Sequence, residues 1–326
     1  MKNYPAIVRS LLFFGVFASF AALFTPPAGA QSFPSRSITV IMNSAAGTTM
    51  DGIYRSINAE VSKILGQSVV MENRAGANGR LGVMAIKSAP ADGHLITIAN
   101  DSVLISQPAV DPQFQMEQGK DFQPVAFLIE FPIILVGRPN LPFRDFRGLV
   151  TYAKANPGKL NWAVTPGNMF VAEMLLQTAG INVTKIAYKG SAPSFLDIIG
   201  GRIDVGFAGS DAAAFFKAEK MVGLGSSGAQ RWSLFSDIAT FTEHGVPFAT
   251  TVWYGLLAPM GTPPEVIAKL NDAYNQALRS PQITKQLESN GYAAGRFKTP
   301  REFSGFIQSE LDAWRPTLRK SGIKLE

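Results

Sequence analysis

The sequence predicts an α/β protein of two lobes, each built from strand-helix units around a mainly parallel sheet. From Ser37 onward, short β-branched runs alternate with longer helical runs, which is the pattern of such units. The same alternation begins afresh at Phe131, where we expect the second lobe. The chain has 326 residues, of which 46% are hydrophobic and 17% charged, so it is long enough for two domains and too apolar to be disordered.

Residues 1–30 have the features of an export signal. Lys2 and Arg9 precede an apolar stretch at 11–24, and residues 28–30 (Ala-Gly-Ala) have the A-x-A form of a signal-peptidase site. The stretch is shorter than the about 20 residues that a membrane-spanning helix needs, so an uncleaved anchor is the weaker interpretation. We therefore predict cleavage after Ala30 and an exported protein, with no cysteine at the site to carry a lipid.

Composition excludes several classes of chemistry. The absence of cysteine excludes disulfides, thiolate zinc sites, iron-sulfur clusters and a cysteine nucleophile, and two histidines disfavour a histidine-rich metal site. We expect no metal and no cofactor. The net charge is +6, but the 30 basic and 24 acidic residues are scattered without a Lys/Arg run, so we expect no nucleic-acid partner. A mildly positive field favours small anions, although a basic surface without a specific partner is the commoner cause.

The first lobe is expected to begin with a buried strand at 38–42. A helix follows and is ended by Gly66. Its apolar residues fall on one helical face: Ile53, Ile57, Val61 and Ile64. The next elements are a strand at 68–72, a glycine-rich loop at 75–79 and a strand at 95–99.

The second lobe is expected to hold strands near 133–136, 160–164, 184–187 and 203–207, with a helix from about Ala192 to Gly200. After Thr250 the sequence has one more apolar run, at 252–258, and helices at 265–279 and 301–320. Thr262 is the expected N-cap of the first of these helices, with prolines in its first turn. Periodicity does not decide which lobe these late helices join.

The junction between the first strand and the first helix is a candidate binding turn. Its small and hydroxyl residues allow backbone N–H groups and the helix N-terminus to face an anion. Capping explains the same residues equally well, with Thr48 or Thr49 as N-cap and Asp51 in the first turn. The position at the carboxyl end of a strand favours a ligand. The predicted binding residues here are Ser44, Ala45, Ala46, Gly47, Thr48 and Asp51.

A comparable turn follows the strand at 160–164 and precedes an apolar helix at 169–176. Its predicted binding residues are Thr165, Gly167 and Asn168. Each turn alone is a weak signal. Two such turns, one in each lobe, are able to hold a ligand between them, and we expect the ligand cleft there.

Other patterns are better explained without a ligand or a reaction. Residues 223–228 match G-x-G-x-x-G, but no convincing amphipathic helix follows, so a glycine-rich strand exit is favoured. No usable G-x-S-x-G elbow with a positioned histidine is present, and His94 and His244 are expected to be solvated or structural. Trp253 and Tyr254 lie in an apolar strand, where core packing is favoured over a ligand platform.

Paired carboxylates for glycoside chemistry would require Asp101, Asp204 and Asp211 to converge. Ordinary surface acids are the default interpretation of these residues. Sequence does not decide between the two, so an exported hydrolase that uses cleft carboxylates stays an alternative.

A series of short motifs runs along the chain after residue 30. The strongest are Tyr-Lys-Gly-Ser-Ala-Pro at 188–193, Gly-Gly-Arg-Ile-Asp at 200–204 and Gly-Leu-Leu-Ala-Pro-Met-Gly-Thr-Pro at 255–263. Weaker ones stand at 33–36, 45–51, 70–77, 91–93, 120–126 and 157–161. In this order they resemble the Bug family, the extracytoplasmic solute receptors of tripartite tricarboxylate transporters. Each motif is weak alone, but the shared order is specific.

The resemblance implies a two-lobed periplasmic-binding-protein fold of type II, a flytrap with two crossing strands. The first lobe is then 31–130 plus 252–326, and the second is 131–251. The resemblance also implies a monomeric receptor without catalysis that binds a small carboxylate, such as a dicarboxylate, an aromatic acid or an amino acid. It delivers this ligand to the membrane subunits of the transporter. Asn100, Ser102 and Tyr188 complete the predicted binding residues.

The chain departs from the family pattern in both turns. Asn43-Ser44 and Gly47-Thr48 stand where the family has Pro-Phe and a glycine pair, and the second turn lacks the family's Gly-Ser/Thr followed by His. After the strand at 203–207, Asp211 is the acid nearest to the family's usual Asp-Asn; it is expected to accept an ammonium or hydroxyl, with a solvated loop acid as the equal alternative. The ligand class therefore stays open, and a sensor for a non-carboxylate ligand is a further alternative.

Overall fold

The computed structural model describes residues 32–165, 167–296 and 299–320. The chain divides into two units, Met1–Ser35 and Arg36–Glu326. The described part of the first unit, residues 32–35, contains no helix or strand. The expected export signal and its cleavage site at Ala30 lie outside the described residues. All elements named below belong to the second unit.

A six-stranded sheet and the helices packed on it form what we call the six-stranded lobe. Its strands are β1 (Ile38–Met42), β2 (Val69–Asn73), β3 (Leu95–Asn100), β4 (Phe122–Phe131), β10 (Val252–Pro259) and β11 (Ala293–Ala294). The order is β11, β4, β10, β3, β1, β2, with β1 parallel to β2 and β3, and β10 antiparallel to β3 and β4. Its helices are α1 (Thr49–Leu65), α2 (Arg80–Met84), α3 (Gln107–Val110), α8 (Pro264–Leu278), α9 (Pro281–Ser289) and α10 (Pro300–Lys320).

Helix α1 forms where the sequence indicates it. The Thr48 hydroxyl accepts the N–H of Asp51 at 3.1 Å and caps the helix, and Gly66 ends it with a left-handed backbone (φ 68°). The buried face packs against α8, where the Tyr274 hydroxyl donates to Asn58 Oδ1 at 2.8 Å. The cap and the buried face together fix where α1 begins.

The core of the six-stranded lobe is aromatic. The Phe303 ring of α10 lies edge-on to Phe127 of β4 at 5.5 Å and to Trp253 of β10 at 5.7 Å. A Cβ at Gly255 would overlap the Phe303 ring, so only glycine fits at that place in β10. Each such fully buried side chain stabilises the fold by about 1.5–3 kcal/mol. This packing holds β4 and β10 rigidly against each other.

A five-stranded sheet and its helices form the five-stranded lobe. Its strands are β5 (Ile134–Gly137), β6 (Asn161–Val164), β7 (Thr184–Ala187), β8 (Val205–Ala208) and β9 (Val222–Ser226). The order is β7, β6, β8, β5, β9, with β6 parallel to β7 and β8, and β5 antiparallel to β8 and β9. Its helices are α4 (Phe146–Ala155), α5 (Met169–Ala179), α6 (Ser191–Ile199) and α7 (Ala213–Lys217).

The G-x-G-x-x-G run lies in β9 and just beyond it, so the predicted glycine-rich strand exit is confirmed. A Cβ at Gly223 would overlap Ile238, and a Cβ at Gly225 would lie 2.6 Å from the Phe241 ring. The glycines are thus required by close packing against the sheet.

Two chain crossings join the sheets, from β4 to β5 and from β9 to β10. Ser227, fully buried, bonds to both of them. Its N–H donates to the C=O of Ile133 at 2.9 Å, and its hydroxyl accepts the Ile133 N–H at 3.0 Å. On the other crossing, the hydroxyl donates to the C=O of Thr250 at 2.8 Å, and the Ser227 C=O accepts the Thr250 N–H at 2.7 Å. One residue therefore ties the two crossings together.

Most predicted elements are present with ends shifted by a residue or two, but the structure corrects several expectations. Strand β4 and helix α9 were not expected, and Ser102–Ser106 forms a single π-helical turn. The N-cap of α8 is Pro263 rather than Thr262, because the Thr262 hydroxyl donates to the C=O of Pro259 at 2.9 Å. Of the two alternatives given for His94, solvated or structural, its burial supports the structural one. Over the described ranges, no helix is long and apolar enough to cross a membrane.

Candidate functional site

A cavity of about 300 Å³ lies between the two lobes. The six-stranded lobe contributes the start of α1, the end of β4, Tyr254 of β10 and Tyr292. The five-stranded lobe contributes the turn after β6, the start of α6 and the segment after β8. Small-molecule pockets commonly measure about 300–1,000 Å³, so the space suits a small ligand.

Three helices begin at the wall of this cavity. Thr49 is the first residue of α1, Asn168 is the N-cap of α5, and Ser191 is the first residue of α6. The first N–H groups of a helix have no partner within it, and the helix dipole places partial positive charge at this end. These three ends make the cavity attractive to an anion, although no Lys or Arg is among the described residues that line it.

Asp51 holds the turn after β1 in place. Its carboxylate accepts the Gly47 N–H at 3.1 Å, the Arg55 Nε at 3.1 Å and the Asn73 Nδ2 at 2.9 Å. Burial alone would raise the pKa of Asp51, but these hydrogen bonds and the Arg55 charge outweigh it and keep the pKa below the usual 3.8. Asp51 does not line the cavity; its contact with a ligand stays a prediction.

Most of the backbone of this turn does not face the cavity. Gly47, with φ 82°, donates its N–H to the Asp51 carboxylate, and the C=O of Ser44 accepts Asn73 Nδ2 at 3.2 Å. Ser44, Ala45, Ala46 and Gly47 are outside the cavity lining. Thr48, with Thr49 and Met50 beyond it, lines the cavity. The capping interpretation thus describes most of this turn, and its helix start is the part that faces the cavity.

The turn after β6 is closed on itself and lines the cavity with three predicted residues: Thr165, Gly167 and Asn168. Asn168 Oδ1 accepts the Thr165 N–H at 2.8 Å, and the Thr165 C=O accepts the N–H groups of Asn168 at 3.0 Å and Met169 at 2.9 Å. Thr165 and Asn168 are buried. These bonds fix Thr165 and Asn168 relative to each other at the cavity wall.

Three other predicted residues are not brought to this cavity. Asn100 Oδ1 accepts the Val103 N–H at 3.3 Å, and Ser102 Oγ accepts Gln107 Nε2 at 3.4 Å, so both support the π-helical turn. The Tyr188 hydroxyl donates to Asp197 at 2.6 Å; desolvation and this bond raise its pKa to about 12. A role of these residues in binding stays a prediction.

Aromatic rings form the apolar part of the cavity. The ring centroid of Phe131 lies 6.4 Å from that of Tyr254, with the two rings stacked, and 4.5 Å from that of Tyr292. The hydroxyls of Tyr292 and Ser210, which belong to different lobes, lie 2.7 Å apart and are hydrogen-bonded. Trp253 packs in the core, as expected, whereas Tyr254 lines the cavity, and a role for it as a ligand platform stays a prediction.

Asp211 is the charged side chain among the described residues that line this cavity. It lies in the 3₁₀ turn after β8 and accepts the Gly209 N–H at 3.1 Å. The side chain is open to solvent, yet the protein atoms around it raise its pKa above 3.8 by desolvation, against the opposing effect of the backbone N–H groups. The acid is therefore placed where a ligand would meet it.

The other candidate acids lie elsewhere. Asp204 precedes β8 and pairs with Arg138 at 2.9 Å, whereas Asp211 follows the opposite end of that strand, roughly 13 Å away at about 3.3 Å per residue. Asp101 lines a separate small pocket with Glu310, where burial raises its pKa to about 8. In the part of the chain that the structure describes, no cluster of three or more His, Asp or Glu side chains suits a metal ion.

Sequence reasoning missed Ser191, Phe131 and Tyr292 as cavity residues. Ser191 had a usable signal, because Gly190-Ser191 after β7 repeats the strand, small residue and helix pattern of the two predicted turns. Phe131 and Tyr292 come from segments distant in sequence, and only the pairing of β11 with β4 brings them together.

The model of the family described as "Tripartite tricarboxylate transporter family receptor" matches residues 53–323. Among curated proteins, the chain is 28% identical over 326 residues to Protein BugT of Bordetella pertussis, covering 98% of this chain and 99% of that one. It is 31% identical over 292 residues to the UPF0065 protein in the tcbD-tcbE intergenic region of Pseudomonas sp. strain P51, covering 87% and 86%.

Solved structures with the same fold include proteins crystallised with small dicarboxylates. A structure described as a periplasmic transporter is 34% identical, with TM-score 0.79 over 90% of this chain and 100% of that one. A Rhodopseudomonas palustris protein with adipate is 28% identical (TM-score 0.79; 89% and 99%). MatC of the same organism, with bound malate, is 28% identical (TM-score 0.75; 88% and 100%). The two-lobed α/β binding-protein fold expected from the sequence is thereby confirmed.

Proposed function

The chain belongs to the tripartite tricarboxylate transporter receptor family of Bug-type solute-binding proteins, and on that premise we propose that it captures a small carboxylate in the cavity between its lobes. The ligand carboxylate lies at the starts of α1, α5 and α6. The observation that carries the proposal is the convergence of these three helix N-termini on one cavity.

Helix N-termini attract anions without a cationic side chain, because each end has unpaired N–H groups and partial positive charge. Thr48, Thr165 and Asn168 stand at these ends and supply hydroxyl and amide groups beside them. The adipate and malate bound by the two Rhodopseudomonas palustris proteins support a carboxylate as the ligand.

We further propose that the protein binds its ligand without reacting with it. General acid-base hydrolysis of a glycoside needs two carboxyl groups about 5–9.5 Å apart. Asp211 lines the cavity, but Asp204 lies at the far end of β8 and Asp101 lines another pocket. The hydrolase alternative therefore lacks its second carboxylate among the candidates that the sequence offered.

The proposed biological setting follows from the family. The receptor works in the periplasm as a monomer and delivers its ligand to the membrane subunits of a tripartite tricarboxylate transporter. The lobes are proposed to comprise residues 31–130 plus 252–326 and residues 131–251. Apart from Phe131 at the end of β4, the strands of the six-stranded sheet come from the first set and those of the five-stranded sheet from the second. Residues 1–30 are proposed to be removed after export.

A charge placed at the α5 start tests the proposal. Asn168→Asp keeps the oxygen that accepts the Thr165 N–H, and a helix N-terminus favours a negative charge, so the fold is expected to stay intact. It adds a negative charge at the proposed carboxylate position, and affinity is expected to fall by about a hundredfold. Native mass spectrometry and a thermal-shift screen of dicarboxylates, aromatic acids and amino acids identify the ligand, and calorimetry then measures Kd.

The matched control is Asn182→Asp, the same change at an exposed residue beyond the other end of α5. It is expected to leave Kd unchanged. A ligand at one hundred times its Kd stabilises the wild type by about 2.7 kcal/mol, which a thermal shift detects readily. Equal affinities of the Asn168→Asp and Asn182→Asp proteins would rule out this site, and the absence of binding to any acid would rule out the function.

A further inference from the structure

We infer that the cavity selects, among small carboxylates, those that carry a hydrogen-bond donor, an ammonium or a hydroxyl, in the place where a dicarboxylate carries its second carboxylate. The inference rests on the proposed function and refines the ligand class of the same site. Its basis is the distribution of charge along one edge of the five-stranded sheet.

Three parallel strands end side by side at this edge. β7, β6 and β8 are neighbours with the same direction, so their carboxyl ends meet at one side of the sheet. Ser191 at the start of α6 follows β7, Asn168 follows β6, and Asp211 follows β8. Neighbouring strands lie about 4.8 Å apart, so the row spans about 10 Å. Helix starts that attract an anion thus occupy one end and the middle of the row, and a carboxylate occupies the other end.

Asp211 has no cation to balance it among the described residues. The groups that lower its pKa are backbone N–H groups, and no Lys or Arg contributes. The chain pairs acids elsewhere in this lobe, as in Asp204 with Arg138 and Glu173 with Lys185. The carboxylate that faces the cavity is left available to a positively charged or proton-donating ligand group.

The surroundings of Asp211 favour the same ligand group. Ser210 and Tyr292, hydrogen-bonded to each other at 2.7 Å, place two more hydroxyl oxygens beside it, and Phe207 and Phe131 supply apolar surface. An ammonium or hydroxyl there meets acceptor atoms. Because the two hydroxyls also donate, the discrimination against a carboxylate comes from the charge of Asp211. A second ligand carboxylate there meets a like charge, with no Lys or Arg among the described lining residues to offset it, and the two charges repel.

Matched pairs of acids test the inference. In each pair the second carboxylate is replaced by a donor at the same distance: glutarate against 4-aminobutanoate, succinate against β-alanine, and terephthalate against 4-hydroxybenzoate. In every pair that binds, the wild-type protein is expected to bind the donor-bearing acid at least about tenfold more tightly. This measurement needs no variant.

Asp211→Asn then assigns the preference to one side chain. The amide keeps the oxygen that accepts the Gly209 N–H, so the turn is expected to fold, and it removes the charge. The ratio of the dicarboxylate Kd to the Kd of its donor-bearing partner is expected to fall by about tenfold. The matched control, Asp237→Asn, removes a charge from an exposed loop acid of the same lobe and should leave the preference unchanged.

The outcomes separate the two proposals. Dicarboxylates that bind the wild type as tightly as their partners, or a preference that Asp211→Asn does not narrow, would overturn the inference and leave the carboxylate receptor intact. If no acid of either series binds the wild type, the proposed function fails, and the inference fails with it.

Discussion

The turn after β1 and the turn after β6 look alike in the sequence but are held together differently. In the first, the buried carboxylate of Asp51 accepts the Gly47 N–H and is paired with Arg55. In the second, the neutral amide of Asn168 accepts the Thr165 N–H and itself lines the cavity. In the first turn, the residue that holds the turn lies outside the cavity lining. In the second turn, the side chain that closes the turn lines the cavity. A small-residue turn after a strand therefore does not reveal which of its groups are free.

Removing Asp51 is expected to have the largest effect on stability. Asp51→Ala leaves the Gly47 N–H and the Asn73 amide without their acceptor, and the free energy of unfolding should fall by about 3 kcal/mol. The half-exposed Arg55 contributes little of this. Urea denaturation measures the change, and Asp237→Ala, at an exposed acid, serves as the control. A loss no larger than that of the control would mean that the turn does not depend on Asp51.

Removing the side chain that closes the second turn is expected to cost less. Asn168→Ala loses one acceptor for the Thr165 N–H, and the free energy of unfolding should fall by about 1 kcal/mol. The same urea experiment ranks the two variants. If Asn168→Ala is the more destabilising, the contrast between a supported and a self-closed turn is wrong.

Lowering the pH should change the free energy of unfolding through the charge of Asp51, by less than the two substitutions to alanine do. The pKa of Asp51 is lower in the folded protein than its usual 3.8, so its stabilisation is present above pH 4 and is lost as pH falls through the folded pKa. Asp51→Asn carries no such charge. The stability difference between wild type and Asp51→Asn should therefore shrink as the pH falls below about 4. The stability difference between wild type and Asn168→Ala should not change with pH. If the difference between wild type and Asp51→Asn is also constant, the stabilising charge of Asp51 is wrongly assigned.

Strands and helices with a strong apolar pattern were predictable from the sequence. β1 and β7 have the predicted ends, and α1 ends at Gly66 as expected. Helix α9 was missed because Ile283 and Leu287 are its two buried residues, although Ser280 before Pro281 is a usual helix start. A short helix with so little apolar surface gives almost no periodic signal.

The binding site was predictable only in its local parts. Thr48, Thr165 and Asn168 line the cavity because each lies next to a helix start. A helix start can be recognised from a few consecutive residues of the sequence. Tyr254 alternates with the core residue Trp253, so its direction depends on which face of β10 is covered. Tyr292 reaches the cavity through the packing of segments far apart along the chain. Such positions depend on tertiary contacts, which periodicity does not encode.

Ser227 gives the joint between the lobes a mechanical character. Ser227 begins one crossing, and its hydroxyl and backbone bond to Ile133 in the other crossing and to Thr250 at the far end of its own. The two connections are therefore coupled through one buried side chain. We expect that a movement of one lobe against the other involves both connections together.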